Sequence, residues 1–310
     1  MSPATNKNAN KVPIQAREKH QDGVNICTEA ISDQSIQQCY ENVSVDLSTS
    51  VLDSEDLRSC ITTMLNQESR YLCHDYLKLT RRARGAVDVH CRAKVCEWIF
   101  HNIACAKLQR ETAVVAINIM DRFLGSKSSP LARRAVYNRK EYQLVAMTSL
   151  YIAAKVMETV GFDASTISRL SRGHHTADDI TSCEHDILKS LRWMINGPTP
   201  LLFVSYILGL LPNSARALVV PKLSSECHHL SEIAMGDYAF VPLRRSTIAI
   251  ASVLNSLDSI AEEDFSHDKK NQFIEALSEA FDLDVANTPL ITAARQRLLR
   301  RASSISVNTH

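Results

Sequence analysis

Glycine and proline are scarce, at 8 and 9 among 310 residues. Strand-and-turn architectures need both at their corners, so the shortage speaks for long helices. Neither sign of charge dominates: 35 basic and 34 acidic residues leave a net charge of +1. A nucleic-acid-binding domain usually carries a basic excess, which the bulk numbers lack. No apolar run reaches the length that spans a bilayer, and the stretch from Met1 to Lys11 is too polar for a signal peptide. No G-x-G-x-x-G, P-loop or G-x-S-x-G occurs, so there is no catalytic constellation for an enzyme and no cofactor site.

Cysteine is present, but not in pairs that bind metal. The nine cysteines include no C-x-x-C and are odd in number, which fits free thiols in a reducing compartment. His90, Cys91, Cys96, His101 and Cys105 gather ligand types in one stretch. On a helix, however, Cys91 and Cys96 point in different directions, and a buried cysteine ordinarily packs as a small apolar residue. No metal is expected. The doublets His174–His175 and His228–His229 read as surface polar residues.

Residues 1–50 are rich in Ser, Asn, Gln, Asp and Lys and show no sustained periodicity, the composition of a disordered arm. Helical spacing begins after Leu52, with Leu57, Ile61, Met64 and Leu65 on one face. The basic run Arg81-Arg82-Ala83-Arg84-Gly85 reads as a solvated loop. Helices are then expected over 88–106, 111–124, 139–158, 163–171 and 176–191. The second and third are apolar nearly all round and must be buried on most sides. The segment 125–138, GSKSSPLARRAVYN, reads as a solvated basic insertion. Asn196-Gly197-Pro198-Thr199-Pro200 cannot continue a helix and marks a linker. Helical patterns resume at 201–211, 214–235, 244–261, 270–281 and 290–302, leaving 303–310 as a tail. The organisation is all-α: an arm (1–50), a first unit (51–195) whose five helices follow a helical segment, and a second unit (196–302), also of five helices.

That plan resembles the cyclin family, which carries two cyclin-box folds in tandem. CRAKVCEWI at 91–99 resembles the family's Met-Arg-Ala-Ile-Leu segment and its tryptophan. AINIMDRFL at 116–124 resembles Asn-Tyr-Ile-Asp-Arg-Phe-Leu. YQLVAMTSLYIAAKVMET at 142–159 resembles the Leu-Gln-Leu helix that ends in Ala-Ser-Lys. CEHDILKSLRW at 183–193 and SEIAMGDYAFVPLRRSTIAIASVL at 231–254 complete an ordered series. Lys155-Val156-Met157-Glu158-Thr159 and LNQESRYLCHDYL at 65–77 resemble the plant-type D cyclins.

The resemblance implies a non-catalytic subunit that binds and activates a cyclin-dependent kinase in G1 or at G1/S, in the nucleus and cytoplasm. An unpaired charge is expensive inside an apolar helix, and four such charges stand out. By resemblance, Arg92 and Asp121 pair within the first box, while Lys155 and Glu184, with Val156 and Glu158, face the kinase. An Arg-x-Leu substrate groove would fall on Cys91, Val95, Trp98, His101 and Gln143. Cys91 and Val95 are smaller there than the family's residues, and His101 stands where a glutamate is usual. Asn25, Cys27 and Glu29 are a degenerate form of the Leu-x-Cys-x-Glu segment that binds retinoblastoma-type pocket proteins. Ser303, after Arg300-Arg301-Ala302, has the pattern of a basophilic kinase site. Neither nucleic acid nor membrane is expected as a partner. Two other roles use the same fold: a transcription factor of the tandem-cyclin-fold kind, against which the near-neutral charge argues, and a scaffold that activates no kinase.

Overall fold

The computed structural model describes residues 52–308 apart from 79, 81–82, 127 and 160–162. Asn25, Cys27, Glu29 and the rest of the arm lie outside the described residues, as does part of the basic run at 81–85. Among the described residues there are twelve α-helices, three short 3-10 turns and no strand.

α1 spans Ser54–Glu68 and starts on Asp53, whose carboxylate accepts the Glu55 and Asp56 amides. α2 (Val89–Cys105) is capped by Asp88. α3 is Arg110–Leu124 and α4 is Pro130–Ala135, capped by Ser129 with proline in its first turn. α5 (Arg139–Met157) starts on Asn138, α6 (Ala164–Leu170) on Asp163, and α7 (Ala177–Ser190) on a Thr176–Asp179 capping box. Each cap satisfies amides that the first turn leaves unpaired. After the linker, Thr199 caps α8 (Pro200–Leu208). α9 (Asn213–Gly236), α10 (Arg245–Ser259), α11 (His267–Phe281) and α12 (Pro289–Asn308) complete the chain.

α3 and α5 form the axis of the first core. Twelve of the fifteen residues of α3 are buried, as its unbroken apolar character requires. Ile99, Ile117, Met120, Phe123, Val145, Ile152 and Ile187 meet there. Each such side chain contributes roughly 1.5–3 kcal/mol by leaving water. α10 is the matching axis of the second core, where Phe203, Val204, Val253, Phe273 and Leu277 gather. Between the halves, Gly197 lies beneath the Tyr71 ring, and a Cβ added there would come within 2.3 Å of it.

Three local features depart from the sequence reading. The segment 125–138 is not a solvated insertion: Leu131, Ala132, Ala135 and Val136 enter the first core, while Arg133 and Arg134 are exposed. α1, grouped by sequence with the first half, places Ile61 and Met64 in the second core. α12 continues to Asn308, through residues expected to form a tail.

The halves meet across buried charge. Arg92 and Asp121, 1% and 0% exposed, form a two-pronged pair at 2.9 and 2.7 Å. The third guanidinium nitrogen donates to the Gly236 carbonyl at 3.2 Å, and the Tyr76 hydroxyl donates to Asp121 at 2.8 Å. Burial alone would drive the Arg92 pKa down, but Asp121 outweighs it and holds the guanidinium well above its ordinary value. Burial, seconded by the Asp121 charge, pushes the Tyr76 phenol well up, which keeps it a donor. Glu68 at the end of α1, only 2% exposed, accepts the Ser246 amide and hydroxyl at 3.1 and 2.8 Å. Arg122 donates to the Met194 carbonyl at 2.7 Å and covers the Tyr71 ring.

The histidine doublets also differ from expectation. His175 is buried and its Nε2 has no partner, while His228 is half-buried on α9. Burial pulls both pKa values down, helped by Lys140 at His175 and by Arg110 at His228.

Both the buried fork and the buried imidazole should show in unfolding experiments. Arg92→Ala leaves Asp121 buried without its fork, and breaking such a pair costs about 3–5 kcal/mol, so urea unfolding should move to a much lower midpoint. An unchanged midpoint would remove the pair as a brace. For the histidines, a folded pKa below the unfolded value of about 6.5 means that stability is full above that value and falls as pH drops through it. The urea midpoint should therefore decline between pH 7.5 and 5.5, and less so in His175→Gln; identical slopes would clear His175 of a role.

Candidate functional site

The last turn of α5 lies beside the middle of α7, and this places two charges together. Lys155, in the last turn of α5, donates to Glu184 of α7 at 2.7 Å. The ammonium also stands 4.7 Å from the centroid of the Tyr151 ring. Unlike the Arg92 pair it lies at the surface, with side chains 42% and 14% exposed. Desolvation works against the Lys155 charge, yet the Glu184 hydrogen bond and charge raise its pKa overall. The cation is thus fixed in place and still within reach of solvent or a partner. Val156 beside it is exposed. Glu158 is engaged within the fold, where its Oε1 accepts the Gln109 amide at 3.0 Å and the Thr112 hydroxyl and so caps the start of α3.

One residue here escaped the sequence reading. Trp193, just past α7, is 71% exposed and has φ +62°, and Arg192 before it has φ +52°. A left-handed conformation costs a non-glycine residue about 1–2 kcal/mol. Two in succession, ending in an exposed indole, mark a side chain held outward against local preference. The Trp193 amide donates to the Leu188 carbonyl at 2.9 Å, so the turn closes the helix while presenting the ring. A tryptophan at the end of an apolar helix reads as core, and only the backbone shows otherwise.

The other expected residues are spread along α2 and α5. Val95 is buried in the first core, and Cys91 and Trp98 pack against it half-buried. Trp98 also touches the small cluster of Met147, Tyr151, Ile167 and Ile180. Gln143 and His101 are half-exposed, and His101 Nε2 lies 3.4 Å from the Cys105 thiol. Among the described residues no group of three His, Cys, Asp or Glu side chains could hold a metal ion. Burial pushes the thiols of Cys73 and Cys96 up to about 11, and those of Cys183 and Cys227 to about 12.

The family model for the cyclin N-terminal domain matches residues 59–196, the stretch that holds the buried Arg92–Asp121 fork and the Lys155–Glu184 pair. This stretch resembles a cyclin N-terminal domain. The G2/mitotic-specific cyclin S13-6 of Glycine max is 30% identical over 192 residues, 62% of this chain and 38% of that protein. Cyclin-D4-2 of Oryza sativa subsp. japonica is 26% identical over 259 residues, 81% of this chain and 66% of its own length. Among solved structures, a viral cyclin from herpesvirus saimiri matches with a TM-score of 0.46 at 19% identity, over 63% of this chain and 88% of its own. The alignments span 38% and 63% of the two soybean cyclins S13-6 and S13-7, less than two thirds of either. The cyclin relatives thus carry mitotic, A-type and D-type names alike.

The surface pair gives a prediction that separates it from the buried one. Lys155→Ala should leave the melting temperature within about 2 °C of wild type, since an exposed pair contributes at most about 1 kcal/mol. A drop as large as that of Arg92→Ala would make Lys155 a brace and not a presented charge.

Proposed function

We propose that this protein is the regulatory subunit of a cyclin-dependent serine/threonine kinase, binding and activating it without catalysing phosphotransfer itself. The observation that carries the reading is the paired yet accessible Lys155–Glu184 at the rim of a cyclin domain, with Val156 exposed alongside and Trp193 held outward at the end of the Glu184 helix. An exposed aromatic is a common interface anchor, and a charge pair desolvated by a partner can add to affinity. A protein kinase is active when its strand lysine meets the glutamate of its mobile C-helix. A subunit that binds that arrangement better than the idle one shifts the population toward activity.

For the cell-cycle stage the proposal is G1 or G1/S. Its support is the Glu158–Thr159 ending after α5 and the alignment with a D-type cyclin along 81% of the chain. The identity with G2/mitotic-specific cyclins supports a mitotic role instead, and protein abundance followed through a synchronised cycle distinguishes the two. Action in the nucleus and cytoplasm belongs to the same proposal. So do recruitment of substrate peptides at Cys91, Val95, Trp98, His101 and Gln143 and pocket-protein binding through Asn25, Cys27 and Glu29. A non-activating scaffold is the competing role.

The test is a pull-down from cells for co-purifying kinase, followed by binding and activity with the purified pair. The isolated chain should phosphorylate nothing. Lys155→Ala, Glu184→Ala and Trp193→Ala should each keep wild-type helical content by circular dichroism. Truncating one member of a desolvated charge pair costs roughly 2–5 kcal/mol, about 30-fold or more in affinity. A loss of at least about 2 kcal/mol is also expected of the indole as a hot spot. Folded variants that bind and activate like wild type would place the interface elsewhere. A kinase that binds but gains no activity would establish the scaffold.

A further inference from the structure

The pattern Arg-Arg-x-Ser/Thr occurs twice in the chain, at 244–247 and at 300–303. A protein kinase with acidic groups in its substrate groove reads this pattern in extended chain: two guanidiniums three and two residues before the hydroxyl are held by carboxylates. Sequence alone gives the two copies equal standing. The fold does not.

At the first copy Arg244 is exposed, but the second arginine and the acceptor are hidden. Thr247 is 7% exposed and Arg245 is 4% exposed. Arg245 Nη2 lies 3.4 Å from the Cys73 sulfur, and Ser246 is held by buried Glu68. The segment opens α10, the axis of the second core, so extending it would mean unfolding that core.

At the second copy the same elements face water. Arg300, Arg301, Ser303, Ser304 and Ile305 are all exposed. Among the described side chains of α12 the last fully buried one is Leu298, more than a helical turn before the acceptor, and Ala302 packs only half-buried against the Leu230, Ile248 and Leu298 cluster. The Ser303 hydroxyl donates to the Leu299 carbonyl at 2.9 Å, a local bond that opens as the turn frays. Arg301 stands 3.7 Å from Asp237, a pair about half-exposed on the arginine side. Opening the final turns of a helix is among the least costly local unfolding events.

We infer that Ser303 is a phosphorylation site for a basophilic serine/threonine kinase and that Thr247, with the same pattern, is protected by the fold. In the reaction the Ser303 Oγ attacks the γ-phosphorus of Mg-ATP. The bond from that phosphorus to the β-phosphate's bridging oxygen breaks, ADP leaves, and the hydroxyl proton passes to the kinase's base. The product carries a charge of about −2 at neutral pH, one helical turn from Arg300, where the two groups share a face. Phosphorylation at Ser303 is independent of any kinase that the cyclin domain regulates.

The test uses the full chain, Mg-ATP and the catalytic subunit of cyclic-AMP-dependent protein kinase as the probe, with phosphate mapped by mass spectrometry. The folded chain should take up phosphate at Ser303 at least tenfold faster than at Thr247. Ser303→Ala, a change at an exposed position, should abolish most of the incorporation. The heat-unfolded chain should be labelled at both positions, which separates protection by the fold from poor recognition of the pattern. A folded chain that stays unlabelled at Ser303, or labels Thr247 at a similar rate, overturns the inference. So does an unfolded chain that still excludes Thr247.

Discussion

Asp121 has no access to water, and everything around it is arranged to answer its charge. Two guanidinium nitrogens of Arg92 and the Tyr76 hydroxyl converge on its two oxygens. The same guanidinium reaches across to the Gly236 carbonyl at the end of α9, and its face lies 5.8 Å from the Tyr238 ring. Tyr238 in turn accepts from the Leu77 amide and donates to Asp75. A group that must be neutralised to be buried thus fixes the register of α2 against α3 and of the first half against the second. A buried ion pair gives little net stability compared with apolar side chains of the same shape. What it gives is intolerance of misplacement, since a shifted neighbour would leave a charge unanswered.

That rigidity matters for the surface. A subunit with the proposed role, holding a kinase's mobile helix, must not yield when the helix pushes back. Moving a two-state partner from 1:99 to 99:1 takes about 5.5 kcal/mol of differential binding, and a docking face that deforms gives part of it away. Lys155 leaves α5, which packs along the Asp121 helix, Glu184 leaves α7, which packs on α5, and Trp193 sits on a backbone turn with both residues left-handed. The charges and the ring are therefore presented in fixed positions, which lowers the ordering cost on association.

Much of this was legible in the sequence, and the exceptions have physical reasons. The long helices declare themselves because burial on one stripe or on all sides leaves a periodic or continuous apolar trace over fifteen residues or more. Arg92, Asp121, Lys155 and Glu184 were visible as charges where charge is costly. α4 was not: six residues hold too few turns to show a period, and Arg133 and Arg134 mask Leu131 and Ala132. The depth of His175 escaped notice because its neighbours in sequence are polar, and burial there is set by tertiary packing alone. Trp193 was not singled out, since nothing in the local pattern tells an outward indole at a helix end from a core one. The allegiance of α1 is a matter of tertiary pairing, and no local pattern can say which of two cores an apolar face will join.

That allegiance has a consequence for biosynthesis. α1 leaves the ribosome before either bundle, yet Ile61 and Met64 belong to a core whose other members run from Phe203 to Ile291. At roughly 5–20 residues per second, translation needs on the order of tens of seconds to deliver that partner surface. During this interval the first bundle can close around α3 while an apolar helix stays tethered to it with nothing to cover it. The nascent chain thus carries a sticky handle until synthesis is nearly finished, a natural address for chaperones and a point of vulnerability when they are in short supply.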